Sequence, residues 1–514
     1  MRTASRKNGG TLRGTLLVAA VTFLIYVFIG VQYIPITVIG DELDYYATLY
    51  GWAMHGSSTL TPAVVESVRN AFPGRPESEP RVVHAIDGTD DAEHFWFISF
   101  LSTPFFWLSQ AFGLNWTYSF TFLNGLLFAL ALGVAYRKFS AWGAVIVMTG
   151  TLSSPLLAYL NRAHSEVFAV SLLAVAGLYL QAGEMLAAAI ALSVISAQIS
   201  AFSPIALGLV LLKLKDFRTM RFIEWAGVSG CFFLLALQPV WSLWRHHVVN
   251  VLINAGYVFL DMATPKRVAA IIVDPDLGLI FTWPATLVIG AMLVYGICVN
   301  RRVVTAHGAF WGFAAAATLF LSFIAAQQEN YTSAAPRYSL WFVPFLLVGL
   351  LVAVREVPSI SKPIFLVAVA LSAYYLAGVR GVTPSLVRSP LAEAWYRWVP
   401  GFYDPGEQTF VDLALHHQVV KGRVLFLTVR FPAEALPDPS IWAMSNRACS
   451  KVLVLAATFH SPSRPPRLPL GCEEPLDAAR FLEFVQQQTG KAPVVRDRFV
   501  TVSSSALRQM RVSD

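Results

Sequence analysis

Charge is what this chain has least of. Lysine, arginine, aspartate and glutamate make up 13% of its 514 residues, while 56% are hydrophobic. A soluble domain carries about 25% charged residues, so a chain with half that load cannot cover a water-facing surface with polar groups. A soluble enzyme is thereby excluded. Two phosphate-binding signatures are also missing. Neither a GxxxxGK[ST] loop nor a GxGxxG fingerprint occurs, which removes the usual ATP and dinucleotide sites. No internal repeat or low-complexity segment stands out.

The N-terminus lacks a short apolar core with a small-residue cleavage site, the mark of a removable signal peptide. It has instead a basic lead followed by an apolar run from about Leu16 to Val38, long enough to span a bilayer. A retained first helix is expected.

The formal charge of +7 raises nucleic-acid binding, and the placement of the basic residues argues against it. They gather in short clusters between apolar runs: Arg2, Arg6, Lys7 and Arg13; Arg137 and Lys138; Lys213, Lys215, Arg218 and Arg221; Arg301 and Arg302; Arg355 and Lys362. Lysine and arginine held on the cytoplasmic side of a membrane protein look like this.

At about 20 apolar residues per span, helices are expected near 14–38, 116–136, 141–159, 166–182, 185–200, 201–213, 222–240, 277–299, 306–326, 339–355 and 363–380. The pair at 185–213 is short and interrupted by Ser203-Pro204, so it reads as broken or re-entrant. About eleven spans put the N-terminus inside and the C-terminus outside, and every basic cluster then falls on the cytoplasmic side. The expected fold class is an α-helical polytopic membrane protein, with residues 1–380 as its membrane domain in a cell membrane, a bacterial inner membrane by expectation. The outer side receives a long first loop, 40–95, and the segment 96–113, rich in Phe and Trp, reads as an amphipathic helix at the interface.

Residues 381–514 have normal charge and several prolines. The runs Val424 to Val429 and Val452 to Ala456 read as buried strands, and Leu476 to Gln488 as an amphipathic helix. A small extracytoplasmic α/β domain is expected. Of the four cysteines, Cys231 and Cys298 lie in apolar segments. Cys449 and Cys472 would meet oxidising conditions, where a disulfide between them is expected, two free thiols being the alternative.

The first outer loop opens Gly40-Asp41-Glu42-Leu43-Asp44-Tyr45-Tyr46. Three acids in four residues at the exit of a span are costly unless water or a ligand reaches them. A partly desolvated carboxylate there suits a general base, its pKa raised towards neutrality; a solvated acidic flank is the plain alternative. The loop ends Asp87-Gly88-Thr89-Asp90-Asp91-Ala92-Glu93-His94-Phe95-Trp96. Acids at the two ends of one loop can converge to position an acceptor, to hold a divalent ion, or merely to repel each other in water. Carboxylate oxygens suit magnesium or manganese, and nothing in the spacing demands either. Further on, Arg337 stands at the mouth of a later helix, where it can fork a phosphate or reach towards lipid head groups.

Asp274-Pro275-Asp276 has the form of a DxD metal motif, without the doubly wound nucleotide domain that such motifs accompany. The adjacent pairs His246-His247 and His416-His417 cannot share one helix face, so neither reads as a metal site.

Gly40-Asp41-Glu42 with Tyr45-Tyr46, and His94-Phe95-Trp96-Phe97 later, resemble the first luminal loop of GT-C glycosyltransferases. The similarity is greatest to bacterial relatives of protein O-mannosyltransferases and to the lipid A aminoarabinose transferase. Arg162, His164, Ser165, Glu166 and Val167 resemble the polar lead into a later helix of those proteins. Asp274-Pro275-Asp276-Leu277-Gly278 and Arg337-Tyr338 with Trp341 and Pro344 follow the same pattern. The resemblance covers roughly 14–380 and leaves the C-terminal domain without a counterpart. It implies Asp41 as catalytic base and Arg337, beside Tyr338, at the donor phosphate. Glu42, Asp44, Arg162, His164 and Glu166 would line the pocket. At the second acidic site relatives often carry a carboxylate followed by prolines, which this chain lacks, so the role falls to Glu93, Asp91 or His94. The implied activity moves a sugar from a polyprenyl phosphate to a glycan, lipid or protein hydroxyl by inverting displacement, with no cofactor certain and a divalent metal open. A multi-span lipid or sugar transporter or flippase is the main alternative, since broken helices often line transport sites.

Overall fold

The computed structural model describes residues 11–34, 36, 38, 41–72, 80–254, 263, 265–273, 278–327 and 337–378, and the strand residues 426–430, 451–455, 476–477 and 499–501. Asp274-Pro275-Asp276, the pair His416-His417, and Cys449 with Cys472 lie outside this set. The chain divides into two compact units, one comprising Met1–Ala269, Trp283–Glu329 and Arg337–Gly378, the other Ala270–Thr282, Asn330–Pro336 and Val379–Asp514.

The first unit is helical. Among the described residues five helices are long and apolar enough to cross a membrane: Leu12–Tyr33, Trp116–Leu152, Phe222–His246, Gly308–Ala326 and Arg337–Glu356. Shorter apolar helices accompany them. The chain is a helical membrane protein, because such runs satisfy their own backbone polar groups and present apolar side chains outward.

Helix α1, Leu12–Tyr33, starts where the Thr11 hydroxyl accepts from the Gly14 amide, a normal N-cap. Most of its apolar side chains are exposed, and it packs along one side on α5, Ser119–Leu152. Gly30 permits the closest approach: a Cβ there would lie 2.5 Å from Cγ2 of Thr121. The expected pair at 116–136 and 141–159 is two helices that meet at a kink at Ser140, a non-glycine residue with φ 61°. After the second ends at Leu152 comes a 3-10 turn, Pro155–Tyr159.

The first loop is far from irregular. It folds into α2 (Glu42–His55), α3 (Pro62–Ala71) and the hairpin β1 (Val82–His84) with β2 (Asp90–Ala92). The hairpin is antiparallel, with Val82 facing Ala92 and His84 facing Asp90. Helix α4, Phe97–Ala111, occupies the segment expected to be interfacial. It buries Ile98, Ser102, Phe106 and Ser109, a helical stripe, and leaves Phe100 and Trp107 exposed.

Helix α6, Ser165–Gln181, is buried almost throughout and packs on α5, on α7 (Met185–Gln198) and on the later helix Val343–Glu356. The interruption expected near Pro204 is a 3-10 turn, Ser200–Phe202, between α7 and α8, Ser203–Leu214. Gln198, at the end of α7, accepts from the Ile98 amide at 2.8 Å and donates to the Phe95 carbonyl at 2.9 Å. Helix α9, Phe222–His246, carries Cys231, which is buried and free; Cys298 is also free but exposed.

In the second unit, β3 (Phe426–Arg430) pairs antiparallel with β4 (Lys451–Leu455), the two runs expected to be strands. β5 (Leu476–Asp477) adds parallel to β4, and β6 (Phe499–Thr501) parallel to β3. The order is β5-β4-β3-β6. Leu476 and Asp477 are therefore strand residues where the start of a helix was expected, because pairing along β4 competes successfully with a weak helical period.

Candidate active site

Asp41 stands at the N-cap position of α2 yet makes no side-chain capping bond. Its carboxylate is turned instead towards basic side chains from four parts of the chain. Oδ2 accepts from Nη1 of Arg337 at 3.1 Å. Arg81 Nη1 lies 3.5 Å from Oδ1, His94 Nε2 3.5 Å from Oδ2, and His164 Nε2 3.9 Å from Oδ2. Burial alone would raise this carboxyl, but His94, Arg337, His164 and Arg81 outweigh it and hold Asp41 well below the usual carboxylate range. The expectation of a pKa raised towards neutrality is overturned: desolvation is present, and the nearby positive charges win.

One turn along α2, Asp44 is fully buried. Its Oδ1 accepts from the Arg81 backbone amide at 2.7 Å and its Oδ2 meets Nδ1 of His94 at 2.7 Å. Arg81 also reaches Oε2 of Glu93 at 3.3 Å, and its carbonyl accepts from the Glu93 amide at 3.1 Å. Arg81, Glu93 and His94 thus enter from the open end of hairpin β1–β2. Burial works to lower the His94 pKa, but Asp41, Asp44 and Glu93 hold it above the ordinary histidine value.

The opposite wall comes from the lead into α6 and from Arg337. His164 is the N-cap of α6, its Nδ1 accepting from the Ser165 amide at 3.1 Å. Arg337 grips Glu166 through Nε at 2.7 Å and lies 3.4 Å from His164 Nδ1 through Nη2; His164 also contacts Glu166 directly. Burial and the Arg337 charge lower the His164 pKa more than Glu166 and Asp41 raise it. Buried Glu42 has the Arg162 Nε at 3.8 Å. Arg162 also stacks over the Tyr159 ring, 5.3 Å to its centroid. The Tyr45 ring stands 5.5 Å from that of His94 and 6.1 Å from that of His164, and Tyr338 packs on Trp341 at 4.8 Å.

Asn161 fixes the frame. Its side-chain amide donates to the carbonyls of Gly30 at 3.2 Å and Ile34 at 2.6 Å, and its oxygen accepts from the Thr121 hydroxyl. The end of α1, which leads to Asp41, is thereby tied to the segment bearing Arg162 and His164.

Asp41, Glu42, Asp44, Glu93, His94, Arg162, His164, Glu166 and Arg337 are brought together. Asp91 is not. Its Oδ2 takes Nε of Arg245 at 2.9 Å and lies 3.3 Å from His246 Nε2, away from Asp41. An acidic string cannot declare which cation each member will meet. Arg81, Asn161 and Arg245 carried no sequence signal strong enough to single them out.

Asp44, Glu93 and His94 each offer a ligand atom within 4.8 Å of the others, a mixed oxygen and nitrogen set that fits a divalent cation. Arg81 donates to both carboxylates, its backbone amide to Asp44 and its guanidinium to Glu93, and the guanidinium and a ring proton of His94 would have to yield to the cation. No protein-family pattern, curated protein or solved structure matches the chain.

Proposed function

We propose that the protein is a GT-C-type glycosyltransferase. It would transfer a sugar from a polyprenyl phosphate to an acceptor hydroxyl on the extracytoplasmic side of the membrane. The observation that carries this reading is Arg337 Nη1 lying 3.1 Å from Asp41 Oδ2, two residues 296 positions apart in sequence, in a part-buried charged cluster at the starts of α2 and of the apolar helix Arg337–Glu356. About eleven spans, an outward-facing pocket and an extracytoplasmic C-terminal α/β domain complete the reading.

The displacement is simple to balance. The acceptor oxygen forms a bond to the anomeric carbon as the bond to the phosphate oxygen breaks. The polyprenyl phosphate leaves with the electron pair, and Asp41 takes the hydroxyl proton. One displacement inverts the anomeric centre. Arg337 forks the departing phosphate and stabilises its growing charge.

The low proton affinity of Asp41 fits this sequence of events. With Arg337 and Arg81 around it, the carboxylate is a poor base. A bound donor phosphate neutralises part of that positive field, so the proton affinity of Asp41 rises when the sugar arrives. Asp44, Glu93 and His94 would hold a divalent cation, which when bound supplies further positive charge beside the phosphate; the proton and bond changes above are those of the chain's own residues.

Purified protein offered radiolabelled polyprenyl-phosphate sugars tests the reading. Transfer is expected in the wild type and a loss of about 10²–10⁴-fold in Asp41→Asn, the usual worth of a positioned base. Undiminished transfer in that variant would remove Asp41 as base. Donor lipid moving across vesicle membranes without transfer would favour a flippase.

A further inference from the structure

Hairpin β1–β2 has only three residues per strand, and an isolated two-stranded hairpin is marginal in water. Along β2 it is bridged to Thr59 and Leu60, the Leu60 amide donating to the Asp90 carbonyl at 2.7 Å, and the rest of its placement is set at its two ends. The open end delivers Arg81, Glu93 and His94 to Asp41 and Asp44. The turn end is held by Arg245, the penultimate residue of α9.

Arg245 is about nine-tenths buried. Nε donates to Asp91 Oδ2 at 2.9 Å, Nη1 to Asp87 Oδ2 at 2.5 Å and Nη2 to the Thr89 hydroxyl at 2.7 Å. Its carbonyl accepts from the Ile86 amide at 2.9 Å. Asp87 is pre-set for this by accepting from both the hydroxyl and the amide of Thr89. Next along the chain, His246 Nδ1 lies 3.3 Å from the His84 carbonyl. The guanidinium also lies 5.8 Å from the Trp241 ring and 5.7 Å from the Trp244 ring, and a cation at the C-terminal end of a helix is favoured by its dipole. Every arm of the fork is thus committed to one short turn. A buried ionic cluster adds little net stability over an apolar contact, so its value lies in geometry.

We propose that Arg245 is a positioning residue: by latching the turn of β1–β2 to the end of α9 it sets where Arg81, Glu93 and His94 stand around Asp41 and Asp44. This rests on the Asp41 cluster being the working site, and not on which group that site transfers. Displacements of about 1 Å at a reacting centre can cost about 10²-fold in rate, so a latch on the far end of a short, stiff ladder matters.

The full-length protein in lipid nanodiscs tests this with two substrate-free readouts, in Arg245→Gln, Arg245→Lys and the milder double variant Asp87→Asn/Thr89→Val, which keeps Asp91 on Arg245. The first is amide exchange across 81–93. The second is the guanidinium NMR signal of Arg81, followed with labelled arginine and assigned with Arg81→Lys, since Arg81 Nη1 lies 3.3 Å from Glu93 Oε2 and 3.5 Å from Asp41 Oδ1. In Arg245→Gln the amides should exchange about tenfold faster or more, and the Arg81 signal should move towards that of a solvent-exposed arginine. Arg245→Lys should recover part of both, and the double variant should shift both in the same direction by less. An Arg81 signal at the wild-type position overturns the proposal even if exchange quickens, since the latch would then be structural only. If Arg245→Gln does not fold, the double variant decides alone. Wild-type protein that transfers no sugar, while the variants show these shifts, defeats the glycosyltransferase reading and leaves the positioning role standing.

Discussion

His94 Nδ1 sits 2.7 Å from Asp44 Oδ2 while its Nε2 lies 3.5 Å from Asp41 Oδ2, so both nitrogens of one half-buried imidazole face carboxylates. That arrangement favours the doubly protonated ring, and the His94 pKa is raised above 6.5. A raised folded-state pKa gives stability that is fully present below the unfolded value and lost as pH rises through the folded one. His164 is the reverse: its pKa is lowered from 6.5, so its neutral form is favoured and stability falls as pH drops below the unfolded value. Thermal midpoints should therefore fall on both sides of neutrality. His94→Gln should flatten the alkaline fall and His164→Gln the acid one. Identical pH profiles for the three proteins would contradict this.

Arg337 and Glu166 should prove strongly coupled. Removing Arg337 strands the buried Glu166 carboxylate, at a cost of about 3–5 kcal/mol, whereas removing Glu166 leaves the part-buried Arg337 with Asp41 and costs less. Removing both leaves less uncompensated, so the double change Arg337→Met/Glu166→Gln should cost less than the two single changes added. Chemical denaturation of the four proteins gives the coupling energy directly, and simple additivity would mean that Asp41, not Glu166, is the partner that matters.

Asn161→Ala should weaken the fold more than an exposed asparagine would. It removes donors from the Gly30 and Ile34 carbonyls, and a buried group left without a partner costs about 1–3 kcal/mol. The end of α1 should loosen first, visible as faster exchange near residue 34. A loss of stability with no local change there would place the anchor elsewhere.

Arg81→Ala should bind manganese or zinc more tightly than the wild type, because the guanidinium otherwise competes for Glu93 and its charge opposes a second cation. Glu93→Gln should bind it more weakly. Calorimetry on the apo proteins distinguishes the three. Equal affinities would mean that Asp44, Glu93 and His94 are not ligands.

Much of the membrane unit was legible from the order of apolar runs and breaks. The interruption before Pro204 and the interfacial-length helix at 97–111 follow from run length and composition. An acid cluster at 41–44 and an arginine at a helix mouth could be read from the residues, while the resemblance alone singled out Asp41 and gave Arg337 to the donor phosphate. Their 3.1 Å meeting could not, nor could the hairpin that brings Arg81 in, because three-residue strands leave almost no periodic trace. Asp91 shows the same limit from the other side. Its neighbours in sequence look like a site, and only the tertiary partner, Arg245, assigns it to holding the turn. In the second unit two apolar strands announced themselves, while Leu476-Asp477 became a strand through pairing that local preference does not encode.

The phenol ring of Tyr45 has a consequence of its own. It stands 5.5 Å from the His94 ring and 6.1 Å from the His164 ring, two imidazoles that lean opposite ways in their hold on a proton. Both reach the same Asp41 oxygen, at 3.5 and 3.9 Å, so a group inclined to give a proton and one inclined to take it share one carboxylate. A chain so poor in ionisable groups has gathered, in one place, the means both to give a hydrogen ion and to receive one.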